Sequence, residues 1–145
     1  MAGVEAKGAW KELRKLIQGM EALRGAAFIR EVNSQLAEVG ISYIQECFVL
    51  GRDPYGRKWK PLKYREGQIL RDTGNLMDSI RKSHSAQGFE IYTPVVYAAV
   101  HNYGYKPRNI PKRQYVPSVG EGMPRRWASG FRLVAREARK RQLGR

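Results

Sequence analysis

The stretch that decides how the chain is interpreted is YAAVHNYGYKPRNIPKRQYVP, Tyr97 to Pro117. Up to Gly104 it places small apolar residues between aromatic ones, which predicts one or two turns of buried helix ending at a glycine that tolerates positive φ. The remainder holds three prolines among basic residues, and each proline fixes φ and removes a backbone donor. We therefore predict a stiff, extended arm that presents backbone and charge to a neighbouring molecule. An ordinary proline-rich surface loop is the alternative.

The positive charge is concentrated towards the end of the chain. The formal net charge is +14, and from Lys106 onward there are twelve Lys and Arg against two Glu. Charge of this sign indicates a polyanionic neighbour, which could be nucleic acid, a membrane surface or an acidic protein face.

Length and composition predict one domain over residues 1–145, with 42% hydrophobic and 28% charged residues. No apolar run is long enough to cross a membrane, and the first residues lack the apolar core of a signal peptide. The single cysteine, Cys47, lies in an apolar pattern, so we interpret it as a buried thiol in a reducing compartment.

Residues 1–48 are predicted to be helical. Apolar residues recur at three- and four-residue spacing from Trp10 to Leu23 and again from Ala26 to Phe48, with Gly25 as the break. The two segments are predicted to pack as a helical hairpin, and Gly40 could mark a kink in the second.

Residues 49–117 are predicted to form loops and a small sheet. Asp53 to Gly56 has the composition of a β-turn, and Asp72 or Thr73 could cap a short helix. The segments Ile80–Ala86 and Phe89–Val95 read as a hairpin with Gln87-Gly88 at the turn.

A flexible joint, Ser118 to Gly122, is predicted to lead into a last helix over 124–142. One stripe of this helix is apolar and the remainder is basic. The fold class is thus α+β: an N-terminal helical hairpin, a small antiparallel β-sheet with a long proline-rich arm, and a C-terminal basic helix packed across it.

Four short motifs carry a resemblance to a known family. In chain order they are DPYGRKWKPL, ILRDTGNLMDSI, YAAVHNYG and IPKRQYVP. Together, over roughly Asp53 to Val116, they resemble the phage virion morphogenesis, or tail-completion, family of contractile-tailed phages and their prophage relatives.

The resemblance implies a structural role without catalysis, cofactor or metal. Such a protein completes the tail and joins it to the head as a homo-oligomeric ring around the DNA channel. Its expected partners are further copies of itself, a tail terminator or a head–tail connector, with DNA touched without sequence preference and no membrane contact. The expected location is the neck or tail end of the virion, reached from the host cytoplasm during assembly.

Two loops, 49–70 and 104–122, are the expected contact segments, because long irregular connections rich in Trp, Tyr, Arg and Pro are typical of interfaces. Trp59→Ala or Arg113→Glu is expected to leave the monomer largely folded but to block the joining of heads to tails. The predicted oligomer or partner contacts are Asp53, Tyr55, Trp59, Tyr105, Ile110, Pro111, Arg113 and Tyr115. The predicted contacts to DNA or an acidic partner are Arg125, Arg126, Arg132, Arg136, Arg139, Lys140 and Arg141.

Two other classes of function compete with this role. An enzyme is disfavoured because His84 and His101 are the only histidines, no metal-ligand spacing occurs, and Asp72 and Asp78 would lie on different helix faces. A free-standing, sequence-non-specific DNA-binding protein is the stronger rival, although no helix-turn-helix, zinc-finger or RNA-binding signature is present.

Overall fold

The computed structural model describes residues 9–62 and 75–143, and in the first helix it describes the side chains of residues 11–19. The architecture is α+β, as predicted. The elements in chain order are α1 (Ala9–Arg24), α2 (Ala26–Leu50), α3 (Asn75–Asp78), β1 (Arg81–Ser85), β2 (Gly88–Tyr92), α4 (Ala98–Tyr103), a 3-10 turn (Lys106–Arg108) and α5 (Arg125–Leu143). The predicted cap at Asp72 or Thr73 lies outside the described residues.

Helix α2 is the centre of the molecule, and α1, both strands and α5 pack against it. Its long apolar face explains this position, because Ile29, Leu36 and Ile44 are almost fully buried. Gly25, at φ 83°, separates α1 from α2 as expected, and Gly51, at φ 64°, ends α2 by donating its N–H to the Cys47 carbonyl.

Gly40 does not break α2, contrary to the predicted kink. The helix runs through this position without interruption. A Cβ placed there would lie 2.5 Å from Cδ1 of Ile91 on strand β2. Glycine is therefore needed because the sheet approaches the helix closely at this point, and not because the helix bends.

Strands β1 and β2 form a two-stranded antiparallel hairpin. Ser85 pairs with Gly88, so the two-residue turn is Ala86-Gln87 and the predicted Gln87-Gly88 turn is wrong by one residue. In the observed register the side chains of Phe89 and Ile91 face the helices. A shift by one residue would turn both side chains towards solvent, so burial of these side chains specifies the register.

Helix α5 packs on α1 and α2 through the predicted apolar stripe. Trp127 and Phe131 are buried and stand 5.5 and 6.4 Å from the Tyr43 ring of α2, measured between ring centroids. Gly130 makes room for Tyr43, because a Cβ there would overlap the Tyr43 hydroxyl. In the described part of the chain, no helix combines the length and the apolar character that crossing a bilayer requires.

Candidate functional site

The second half of the predicted arm lies inside the domain, which corrects the expectation that it projects. Residues Arg113 to Pro117 are buried. The side-chain oxygen of Asn102, in α4, accepts hydrogen bonds from the backbone N–H groups of Tyr115 at 3.0 Å and Val116 at 3.1 Å. An extended, proline-flanked chain cannot satisfy these groups in a sheet, so the buried amide of Asn102 takes the place of a neighbouring strand.

Arg113 connects three segments of its own chain. Its backbone N–H donates to the His101 carbonyl at 2.8 Å, and its guanidinium donates to the carbonyls of Lys60 and Pro61 at 3.1 and 3.2 Å. The residue is 8% exposed. A buried guanidinium needs such acceptors, so Arg113 holds the arm against α4 and against residues 60–61.

Trp59 and Tyr115 also hold the arm in place. The Trp59 indole donates to the Gln114 carbonyl at 2.8 Å and meets Phe48 edge-on at 5.7 Å between ring centroids. The Tyr115 hydroxyl donates to the Ala98 carbonyl at 2.7 Å, and burial raises the pKa of Tyr115 above its ordinary value. Replacing Trp59 or Arg113 is therefore expected to disturb the domain itself, which corrects the expectation that such variants stay folded.

Hydrogen bonds join residues 51–59 to residues 118–122. The segment from Ser118 to Gly122, predicted to be a flexible joint, is therefore fixed in place. Asp53 accepts the N–H groups of Tyr55 and Arg57 at 2.9 Å each, which fixes the predicted turn. The Tyr55 hydroxyl donates to the Gly122 carbonyl and accepts from Ser118 N–H at 3.1 Å.

A charged pair strengthens this closure. Arg57 binds both carboxylate oxygens of Glu121, at 2.8 and 3.0 Å, and also binds Asp53. The hydrogen bonds from Arg57 lower the pKa of Glu121 below its ordinary value. Bidentate geometry fixes direction as well as distance, so this pair joins residue 57 to residue 121, four positions before α5 begins.

Only the tip of the arm, residues 103–112, is available at the surface. Tyr105 and Ile110 exchange backbone hydrogen bonds at 2.9 and 3.0 Å, which closes a small loop over the 3-10 turn. Asn109 at φ 52° and Gly104 at φ 77° supply its two positive-φ corners. We call residues 103–112 the tip loop. Its Tyr103, Tyr105, Lys106 and Arg108 are exposed, whereas Ile110 and Pro111 are half-buried.

The cations of α5 fall into two groups. Arg126 pairs with Glu46 of α2 at 2.8 Å, Arg132 with Glu12 of α1 at 3.0 Å, and Arg141 binds the Gln35 side chain at 3.1 Å. Lys140 lies 3.4 Å from Glu137 on its own helix. The remaining three, Arg125, Arg136 and Arg139, are exposed, and among the described residues none has an ion pair or side-chain hydrogen bond.

The two histidines do not form a catalytic pair. His84 is exposed on β1, whereas His101 is half-buried in α4 with its ring 5.8 Å from that of Tyr97 and its Nδ1 without a hydrogen-bond partner in the described structure. Burial, with a contribution from the Arg113 charge, lowers the pKa of His101 below its ordinary value. Over residues 9–62 and 75–143, no three His, Cys, Asp or Glu side chains are grouped as metal ligands.

Sequence reasoning missed Asn102, Gln114 and the Arg57–Glu121 pair. Asn102 is 2% exposed although it is polar, and it stands in the middle of the apolar YAAVHNYG turn. A polar residue inside an apolar turn that precedes a proline-rich strand could have indicated a buried partner for that strand. Glu121 gave no such signal, because its partner lies 64 positions away in the sequence.

The family model of the phage virion morphogenesis family matches residues 9–139, a range that contains every helix and strand described above except the last four residues of α5. The match supports a structural role in phage assembly, and the chain belongs to the phage virion morphogenesis family. A curated relative, the Mu-like prophage FluMu G protein 2 of Haemophilus influenzae strain Rd, is 38% identical over 65 residues. That match spans about half of each protein, namely 45% of this chain and 45% of the relative. No solved structure matches this chain.

Proposed function

We propose that this protein completes the tail end or neck of a phage or phage-like particle, as a subunit of a homo-oligomeric ring that joins tail to head. The observation that carries the proposal is the family match over residues 9–139, because it includes the tip loop and most of α5. Similarity to a Mu-like prophage protein supports the same virion-associated role.

The tip loop is the proposed contact surface towards the next copy, a tail terminator or a head–tail connector. Its exposed tyrosines and basic residues are of the types that are enriched in interfaces. Both ends of the loop are anchored, by Asn102 through Tyr115 on one side and by Arg113 on the other, so ordering it on binding costs little conformational entropy. A head-to-tail contact of this kind closes into a ring when the rotation between copies allows it.

Trp59, Arg113 and Tyr115 are not suitable for testing this contact, because they are buried in their own chain. Complementation of a phage that lacks this gene, with Tyr105→Ser and Arg108→Ser combined, tests it better. Both side chains are exposed in the tip loop, and the structure assigns neither side chain an intramolecular hydrogen bond among the described residues. We expect a folded protein and, by electron microscopy, separate heads and tails.

The matched control combines Tyr92→Ser on β2 with Arg30→Ser on α2, which removes the same residue types from exposed positions elsewhere. We expect normal particles from this control. Normal particles from the tip-loop variant would show that the tip loop is not the contact surface. Joined particles in the absence of the gene would overturn the neck position itself.

A free-standing DNA-binding protein remains the second candidate, and the exposed cations of α5 favour it. The two candidates differ in whether the protein is expected to be bound to a particle or to DNA alone. A ring subunit is expected to sediment with tails or neck complexes from a lysate, whereas a free-standing binder is expected to remain with DNA after the particles are removed.

A further inference from the structure

Four arginines of α5 share one side of the helix; Arg125, Arg136 and Arg139 are exposed, and Arg132 is half-buried beside Glu12. Positions 125, 132, 136 and 139 are separated by seven, four and three residues, and these spacings return to the same face of an α-helix. At about 1.5 Å of rise per residue the row is roughly 21 Å long. Glu137, the acidic residue of α5, is displaced by about 100° around the helix from Arg136 and lies beside Lys140.

Helix α1 packs beside α5 and carries further exposed cations. The ion pair between Arg132 and Glu12 places the two helices side by side at this point. Lys11 and Lys15 lie within one turn of Glu12, and both are exposed. We call the surface formed by Lys11, Lys15, Arg125, Arg132, Arg136 and Arg139 the cationic face.

We propose that the cationic face binds the phosphate backbone of duplex DNA without reading its sequence. A row of separate cations suits a polymer of separate anions, and contacts to phosphate confer affinity but no sequence information. This inference does not depend on the proposed neck position, since it concerns a binding property of the isolated protein.

The chemistry of the face favours DNA over a protein partner. The cores of protein interfaces are depleted of charge and contain aromatic or aliphatic anchors. Among the large apolar side chains of α5, Leu133 is exposed about 100° around the helix from Arg132, and Leu143 is exposed at the far end of the helix. A second copy of this chain is also disfavoured, because two such faces would repel one another.

The division of the cations determines which of them bind most effectively. Arg125, Arg136 and Arg139 have no ion-pair partner among residues 9–62 and 75–143, whereas Arg126, Arg132 and Arg141 would first have to leave Glu46, Glu12 and Gln35. Equal changes in net charge at the two groups should therefore have unequal effects on binding.

The experiment compares two triple variants of the full chain that each remove three positive charges. One is Arg125→Gln, Arg136→Gln and Arg139→Gln; the other is Arg126→Gln, Arg132→Gln and Arg141→Gln. Binding to a fluorescent duplex of about 20 base pairs is titrated at several salt concentrations, with two unrelated duplex sequences. A polyglutamate chain serves as the acidic-protein probe.

We expect wild-type protein to bind both duplexes equally, with affinity that falls steeply with salt. The first triple variant should lose more than tenfold in affinity, and its log–log salt slope should decrease in magnitude by about 2–3, since each phosphate contact contributes about 0.9. The second triple variant should lose clearly less. Equal losses in the two variants, or no duplex binding at low salt, would overturn the proposal. Tighter binding to polyglutamate than to DNA would instead assign the face to an acidic protein.

Discussion

At the scale of single residues, one buried amide decides where the arm lies. The backbone N–H groups of two successive residues, Tyr115 and Val116, both donate to the side-chain oxygen of Asn102. Among the described side chains, only Asn102 accepts from both. The basic and proline-rich composition of the arm indicated exposure. Packing the arm inward buries the side chains of Tyr115 and Val116, and the Asn102 amide removes the cost of leaving their two buried N–H groups without an acceptor.

Asn102→Ala is expected to destabilise the protein by roughly 2–4 kcal/mol, because it leaves two buried N–H groups without an acceptor. Chemical denaturation measures this change. Gln18→Ala, at an exposed position of α1, is the control and should stay within about 0.5 kcal/mol of wild type. A variant as stable as wild type would show that water or a shifted backbone replaces the amide.

His101 should make stability depend on pH. Its pKa lies below the ordinary value of 6.5 in the folded protein, so the unfolded chain binds a proton first as the pH falls. Near pH 7.5 the neutral His101 does not lower the free energy of unfolding. As the pH falls through about 6.5, the unfolded chain takes up the proton more readily than the folded protein, and the free energy of unfolding decreases.

Thermal unfolding at pH 7.5 and 5.5 measures this effect. The melting temperature of the wild-type protein should fall on acidification. The His84→Gln variant should behave in the same way, because it keeps His101 and changes only an exposed residue of the hairpin. The melting temperature of His101→Gln should fall less. The same loss in both histidine variants would assign the pH dependence to other groups.

At the scale of elements, close approach explains the glycines inside helices. Gly40 lies against Ile91 and Gly130 lies against Tyr43, so each glycine lets a neighbouring element reach the helix backbone. Gly19 of α1 differs, because nothing lies within 4 Å of a Cβ built there. Sequence alone shows three helical glycines and gives no means of distinguishing these cases.

Gly130→Ala should displace the Tyr43 ring from its contacts with Trp127 and Phe131 and destabilise the protein by roughly 1–3 kcal/mol. Gly19→Ala should instead stabilise it by up to about 1 kcal/mol, because alanine favours the helix and meets no neighbour. Denaturant midpoints of the two variants should therefore shift in opposite directions. Shifts in the same direction would contradict the packing of Tyr43 against α5.

At the scale of the whole molecule, the sequence predicted what periodicity and turn chemistry encode. The three long helices, the hairpin and the Asp53 turn follow from local patterns, and the structure confirms them. The position of the arm and the closure of residues 51–59 on 118–122 depend on partners far apart in the chain, such as Arg57 with Glu121. No local pattern encodes such pairs.

The cations of α5 show the same limit. The sequence shows how many cations α5 carries and how they are spaced along the helix. It does not show which of them form ion pairs, because that depends on where Glu12 and Glu46 lie on other helices. The candidate DNA surface is accordingly smaller on α5 than the sequence suggested, and it gains lysines from α1.

The anchoring of the tip loop has a mechanical consequence. Both of its ends enter the body of the domain, where Asn102 and Arg113 hold them through several short hydrogen bonds. A force on the tip would act on these bonds, and the contacts of Trp59 with the Gln114 carbonyl and with Phe48 connect the same segment to α2. When a force is applied to the tip loop from outside, the protein can in this way transmit it to its central helix while the loop keeps its shape.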